Sequence, residues 1–254
     1  MAKKKQTSLN NKPAPNPVTS RTTRTSSTTP SATIRFPAVS QKHDLECREL
    51  LEDQILLIDE FFSPEECKTF VKFIDSLPLE LTPPKKRGEA ERVNHRISIT
   101  SLDFAQALWA VLAPHLPEFP YPSSVKRPAG SNLRRAPNTL NTNIRMYKYT
   151  PGQHFGPHYD DSVRDPLTGA KSEWTLLIYL SGAEDGVVGG ETMFYKDERG
   201  KPRETIVAPL TRGTALLHRS ALSLSHGNEC LLHEGSEVRS GTKYILRSDL
   251  MFMN

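Results

Sequence analysis

The sequence predicts an α+β fold in which a double-stranded β-helix, or jelly roll, is backed by N-terminal helices. Three observations carry this expectation. From Asn143 onward the chain breaks into short apolar runs of strand character, punctuated by Gly and Pro. Ahead of them, two stretches place apolar residues at helical spacing. Many short strands with helices gathered in front of them suit a closed barrel covered on one side.

Residues 1–42 are rich in Ser, Thr, Pro, Asn and Lys and hold few large apolar side chains. Such a segment buries too little surface to offset its ordering entropy, so a disordered tail is expected there. Residues 43–254 are expected to form one domain, with a helical layer over about 43–142 and the jelly roll over about 143–254. The tail lacks acidic residues and carries eight Lys and Arg; as the whole chain of 254 residues has a net charge of +4, the remainder is at −4. The basic balance is therefore a property of the tail, and nothing requires a nucleic-acid-binding core. Lys3–Lys5 read either as a nuclear address or nucleic-acid tether, or as part of a solubilising tail. A mitochondrial presequence fits the basic, hydroxyl-rich composition but not the prolines or the lack of an amphipathic helix.

Within the domain, Ile55–Phe62 (ILLIDEFF) reads as a strand, and Ser63-Pro64-Glu65-Glu66 as a helix start with Ser at the N-cap, Pro at N1 and Glu at N3. Phe70, Val71, Phe73, Ile74 and Leu77 give that helix its apolar face. A second helix is expected from Asp103 to about Ala113, with Phe104, Leu108 and Leu112 on one side. Residues 80–92 and 120–141 read as polar loops. The expected barrel strands are 143–149, 174–180, 192–195, 205–208, 214–218 and 242–252. Of these, WTLLIYL (174–180) is almost continuously apolar, as in a strand covered on both faces.

No run approaches the roughly 20 apolar residues of a membrane helix, and the first residues lack the apolar core of a secretory signal. An intracellular protein of cytoplasm or nucleus, neither secreted nor bound to a membrane, is expected. Cys47, Cys67 and Cys230 have no metal-site spacing and read as reduced structural residues.

The chemistry sits in GQHFGPHYD (152–160) and HEGSEVRSGTK (233–243). Side chains two apart on a strand share a face, so His158 and Asp160 both project into the barrel. An imidazole and a carboxylate on one face supply two ligands of the 2-His-1-carboxylate set that holds non-haem iron. His233, 75 residues on, is able to complete it from a neighbouring strand. His218 and His226 lack the surrounding HxG…GTK pattern and read as surface or core residues. Lys243 follows His233 by ten residues on an apolar strand, where a buried cation calls for an anionic partner such as a dicarboxylate. Arg247 has the same strand parity and is the alternative anchor, as a bidentate fork rather than a point charge. Asp161 points away and receives no ligand role.

Together with GGETMF (189–194), PLTRGTALL (209–217) and ILLIDEFFSPEEC (55–67), these motifs resemble prolyl 4-hydroxylase-type Fe(II)/2-oxoglutarate-dependent dioxygenases over roughly residues 143–252. The pattern is closer to soluble microbial or fungal members than to secreted collagen-modifying ones. The resemblance implies Fe(II) on His158, Asp160 and His233, and 2-oxoglutarate on Lys243. It also implies a hydrogen bond to the co-substrate from Tyr149, with Tyr147 as the alternative. O2 is the oxidant and ascorbate the customary reductant. The implied reaction hydroxylates an unactivated C–H, a prolyl residue of a protein or peptide in the first instance, with succinate and CO2 as co-products. A non-prolyl or small-molecule substrate on the same fold is the alternative. The stretch Arg92-Val93-Asn94-His95-Arg96 borders the pocket, with Asn94 and Arg96 as substrate contacts, or else forms a plain strand edge. Two other classes compete: a catalytically silent relative acting as a binding protein, with nucleic acid reached only through the basic tail, and a cupin-type metalloprotein without 2-oxoglutarate. Lys243 argues against the second.

Overall fold

A computed structural model describes residues 34–122, 129–130, 132–197, 199–220 and 230–253. The expected tail therefore lies largely outside the described residues. Phe36–Asn254 form one compact unit. Packing starts ahead of His43, because the Phe36 ring stacks on Phe104 at 4.2 Å between centroids.

The first elements are β1 (Cys47–Leu51), β2 (Ile55–Ile58) and α1 (Pro64–Asp75). The start of α1 is the expected capping box. Ser63 Oγ accepts from the Glu66 amide at 3.2 Å, and Glu66 Oε2 accepts from the Ser63 amide at 2.8 Å. Cys67, Phe70 and Ile74 are its buried face. Then come β3 (Glu80–Leu81), β4 (Arg92–Val93), β5 (His95–Thr100) and α2 (Leu102–Leu112), the last capped by Ser101 Oγ on the Phe104 amide. Phe104, Leu108 and Leu112 are buried on α2, as their spacing predicts.

The polar stretch after α2 contributes β6 (Phe119–Pro120), β7 (Arg134–Arg135) and β8 (Thr139–Leu140). The second half supplies β9 (Asn143–Tyr149), β10 (His154–His158), β11 (Lys171–Tyr179), β12 (Val188–Gly189), β13 (Thr192–Lys196) and β14 (Glu204–Ala208). It ends with β15 (Ala215–Arg219), β16 (Leu232–Gly235), β17 (Val238–Ser240) and β18 (Lys243–Phe252). Each barrel strand predicted from the sequence is present to within a residue or a few at its ends.

Two antiparallel sheets face each other. The larger runs β1-β2-β15-β11-β18-β9-β5-β3, with β8 added to β18; the smaller runs β14-β13-β16-β10-β4. Apart from the consecutive pairs β1–β2 and β13–β14, most neighbours in each sheet are far apart in sequence, as in a jelly roll. The larger sheet is covered on both faces. Trp174, Leu176, Ile178, Ile144, Met146, Leu246 and Leu250 pack against the helical layer. The alternate residues Leu177, Tyr179, Tyr147, Tyr149 and Ile245 turn into the barrel toward Phe194 of the smaller sheet. That double cover explains why 174–180 lacks a polar face.

The reading of 80–92 and 120–141 as loops misses short strands and a buried ion pair. Arg135 on β7 pairs with Glu173 and lies 4.9 Å from the Phe252 ring centroid. A polar segment thus enters the core through charge pairing, which hydropathy does not register. No helix among the described residues is long and apolar enough to cross a membrane.

Candidate metal centre

β10 and β16 are antiparallel neighbours, and His158 and His233 are partners in register. Asp160 follows just beyond the end of β10 and is buried. One ligand atom from each of His158, Asp160 and His233 lies within 4.8 Å of the other two, and this set is able to hold a metal ion. The imidazole orientations suit that use. His158 Nδ1 donates to the Gly156 carbonyl at 2.9 Å and His233 Nδ1 to the Leu231 carbonyl at 3.2 Å. Both rings therefore carry the proton on Nδ1 and turn an Nε2 lone pair toward Asp160, at 3.7 and 3.8 Å from its oxygens. Burial, with His233 next to it, pushes His158 down to about 3, so it is neutral and ready to coordinate at physiological pH.

Both carboxylate oxygens of Asp160 are held from the larger sheet. Arg247 Nη1 donates to Oδ1 at 2.9 Å and Thr175 Oγ1 to Oδ2 at 2.8 Å. Burial alone would raise the Asp160 carboxyl, but Arg247 outweighs it and holds the group well below the usual carboxylate range. Arg247 also reaches Asp249 Oδ1 at 3.4 Å, so two carboxylates flank its guanidinium.

Lys243 takes a different place. It is 2% exposed, and no carboxylate pairs with it among the described residues; its Nζ donates to the Gly190 carbonyl. The ammonium lies 5.4 Å from the Tyr149 ring centroid and 5.6 Å from that of Tyr179. Gly190 makes this approach possible, since a Cβ there would sit 3.2 Å from Lys243 Cδ and 2.9 Å from Val238 Cγ2. Burial pushes the ammonium down to about 7.

The His-Asp-His set and the lysine open onto one partly open cavity, lined also by Arg92, Tyr147, Tyr149, Phe155, Thr192, Ile245 and Arg247. Tyr149 is the register partner of Lys243, whereas Tyr147 lies two residues further along β9. The two tyrosines differ electrostatically. Burial raises Tyr149 to about 12, while Arg247, Arg92 and Arg145 outweigh burial at Tyr147 and hold it below its usual range.

Arg96 is exposed and Asn94 fully buried, and neither lines the cavity. On β5, Ile97 and Ile99 face the helical layer, so Arg96 lies on the opposite face, that of its register partner Tyr147, at the exposed edge of the sheet. Asn94 accepts from Arg92 Nε at 2.9 Å and supports that residue rather than the cavity wall. His226 lies outside the described residues.

Of the stretch 92–96, Arg92 is the residue that lines the cavity; the sequence reading missed Thr175, Thr192 and the position of His218. His218 is a core residue whose Nε2 comes within 3.5 Å of Asp160 Oδ2 and has no hydrogen-bond partner. Its signal was present, since it ends the apolar strand TALLH on the parity that faces Thr175 across β11 and β15.

Fold and centre together define a jelly-roll protein with a His-Asp-His set able to hold a metal ion and a buried lysine on one cavity. Residues 144–248 match the model of the 2OG-Fe(II) oxygenase superfamily. No curated protein matches the chain. Among solved structures, the chain is similar to a viral collagen prolyl hydroxylase from Paramecium bursaria Chlorella virus-1, at 19% identity and a TM-score of 0.47, over 79% of this chain and 97% of that one. It is similar to a Pseudomonas putida prolyl-4-hydroxylase at 11% identity and a TM-score of 0.48, over 79% and 94% of the two chains. It is also similar to OsALKBH1 at 12% identity and a TM-score of 0.46, over 80% and 99%.

Proposed function

We propose that this protein is an Fe(II)- and 2-oxoglutarate-dependent dioxygenase that hydroxylates a prolyl residue of a protein or peptide. One observation carries the co-substrate assignment: a buried cation, Lys243, without a carboxylate partner among the described residues, opens onto the cavity that holds the metal triad. A buried charge of this kind is unfavourable until an anion meets it. A dicarboxylate that reaches from the metal to the lysine meets that need, and 2-oxoglutarate is such a molecule. The prolyl substrate rests on the motif resemblance.

When bound, ferrous iron supplies the oxidative chemistry that couples decarboxylation of 2-oxoglutarate to hydroxylation of a C–H. The chain's own residues have defined parts in this reading. His158 and His233 offer Nε2, and Asp160 offers a carboxylate held in place by Arg247 and Thr175. Lys243 binds the far carboxylate. Tyr149 is its hydrogen-bonding companion, because it faces Lys243 in register and keeps its proton to about pH 12. Arg247 is occupied by Asp160 and Asp249, which favours Lys243 over Arg247 as the anchor. Leu177, Ile245 and Phe155 line the same cavity and exclude water. Ascorbate serves as reductant in this scheme.

Anaerobic addition of Fe(II) and 2-oxoglutarate should give the weak visible charge-transfer band of a chelated complex, and His158→Ala should lack it. Absence of the band from the unaltered protein, or its survival in His158→Ala, would overturn the reading. Succinate formation stimulated by proline-containing peptides, and not by matched peptides without proline, tests the substrate class.

A further inference from the structure

Arg92 is a feature of the cavity that the metal and co-substrate assignments leave unused. It lies on β4, at the edge of the smaller sheet, paired with Phe155 of β10. Its guanidinium is held between two aromatic rings, with Cζ 4.5 Å from the Tyr147 centroid and 4.4 Å from the Phe155 centroid. Nε is taken by Asn94 Oδ1, while Nη2 is buried and makes no hydrogen bond. No carboxylate pairs with Arg92 among the described residues; its charged form is favoured chiefly by Tyr147 and Tyr149. A desolvated donor without a partner is costly and needs a reason.

The charges around the cavity point to one. Arg92, Lys243 and Arg247 line it, and Arg145 stands behind them on Asp249. Against these four cations stand Asp160 and Asp249 in direct ion pairs, and Glu191 acting on Lys243 from beyond pairing distance. A divalent metal and a dianionic co-substrate then cancel each other, so the positive excess survives in the loaded site. Of the four cations, Arg247 and Arg145 have carboxylates already and Lys243 is matched by the co-substrate. Arg92 alone is left.

We propose that Arg92 is a substrate-binding residue that engages a carboxylate next to the reacting position, so that the enzyme takes peptides with an acidic residue flanking the target. The ring sandwich fixes the guanidinium plane beforehand, and a planar fork matches the two oxygens of a carboxylate. The surplus positive field favours encounter with acidic peptides. This inference rests on the dioxygenase reading for the occupancy of Lys243.

The test uses the full chain loaded with Mn(II) and N-oxalylglycine, a dianionic and unreactive analogue of 2-oxoglutarate. Two sets of proline hexapeptides, identical except for Asp or Glu against Asn or Gln beside the proline, are titrated by calorimetry. The acidic set should bind about tenfold tighter or better, in line with a charge-assisted pair. Arg92→Gln should bring the two sets within about twofold, Arg92→Lys should keep part of the preference, and all forms should bind N-oxalylglycine alike. Equal affinity for the two sets, binding of neither, or a preference that persists in Arg92→Gln would overturn the proposal. So would loss of N-oxalylglycine affinity in Arg92→Gln, which would put Arg92 in the co-substrate site. A wild-type protein that takes no N-oxalylglycine would count against the dioxygenase reading instead. The peptide preference is scored separately by repeating the titrations on metal-free protein, where Arg92 is equally present.

Discussion

Arg247 on β18 holds the carboxylate of Asp160 from across the barrel, Nη1 to Oδ1 at 2.9 Å, with both side chains under 10% exposed. The pair ties the larger sheet to the loop after β10 and fixes which way Asp160 presents its oxygens. Arg247→Met should weaken Mn(II) binding by about 10–100-fold, as removal of a partner behind a metal ligand commonly does. In the metal-free protein it leaves Asp160 buried without its cation, at about 3–5 kcal/mol. Arg247→Lys should recover part of both. Metal titration and denaturant unfolding of the three forms check this; unchanged Mn(II) affinity in Arg247→Met would refute it.

His218 Nε2 comes nearer to Asp160 Oδ2 than His233 Nε2 does, 3.5 against 3.8 Å, yet only His233 belongs to the mutually close ligand set. His233→Ala and His158→Ala should each abolish binding of Mn(II) at micromolar concentrations. His218→Ala should change the affinity by less than about tenfold, as expected of a residue behind the ligands. Equilibrium dialysis with metal analysis separates the cases. Loss of metal in His218→Ala with retention in His233→Ala would reverse the assignment.

Lys243 sets a pH dependence whose sign follows from its burial. In the fold its ammonium is pushed down to about 7, whereas the unfolded chain holds it near ~10.4. Between these values the unfolded state binds more protons, so the lysine's contribution to stability rises with pH across that window. Below about 7 the buried cation exerts its full penalty. Lys243→Met should therefore stabilise the metal-free protein most below pH 7, with the difference shrinking toward pH 10. Co-substrate binding should show the opposite trend. Above about pH 7 it takes up a proton, and affinity for 2-oxoglutarate falls by at most about tenfold per pH unit. Calorimetry in buffers of different ionisation enthalpy reads the proton uptake, and Lys243→Arg should flatten the profile. A flat profile in the wild type would contradict the assignment.

Gly213 is a backbone requirement of the barrel. It sits at φ +85°, its N–H donates to the Tyr179 carbonyl at 2.7 Å, and its carbonyl accepts from the Phe62 amide at 2.9 Å. A Cβ there would come within 2.1 Å of the Phe62 carbonyl oxygen. Gly213→Ala should destabilise the domain by at least about 2 kcal/mol, from left-handed strain and the backbone clash together. That corresponds to a fall in Tm of roughly 4 °C or more for a domain of this size. A Tm within a degree of wild type would show that the turn relaxes freely.

Local patterns in the sequence were enough for several elements. Ser63 to Glu66 announce α1, Phe104, Leu108 and Leu112 announce α2, and the apolar run 174–180 announces a strand covered on both faces. These are effects of period and capping within a few residues. Strand β1, whose run CRELL carries Arg48 and Glu49, pairs only with the neighbouring β2 and lacks a local strand pattern. Strands β3, β4 and β5 were not legible because their pairing partners lie elsewhere along the chain. The Arg135–Glu173 pair escaped for the same reason, since each residue alone reads as surface.

At the centre the division is the same. The sequence by itself determined the spacing that places His158, Asp160, His233 and Lys243 on inward parities, because two-residue periodicity is a property of strands wherever they pair. Only the tertiary structure decided what stands around them. It assigned Arg247 to Asp160 rather than to open cavity, set Tyr149 rather than Tyr147 opposite Lys243, and turned Arg96 to solvent. Within the stretch 92–96 it set Arg92, rather than Asn94 or Arg96, into the cavity wall, on a separate strand some sixty residues upstream of His158. Register between strands fixes these choices, and register depends on which distant segments meet, which no local pattern encodes.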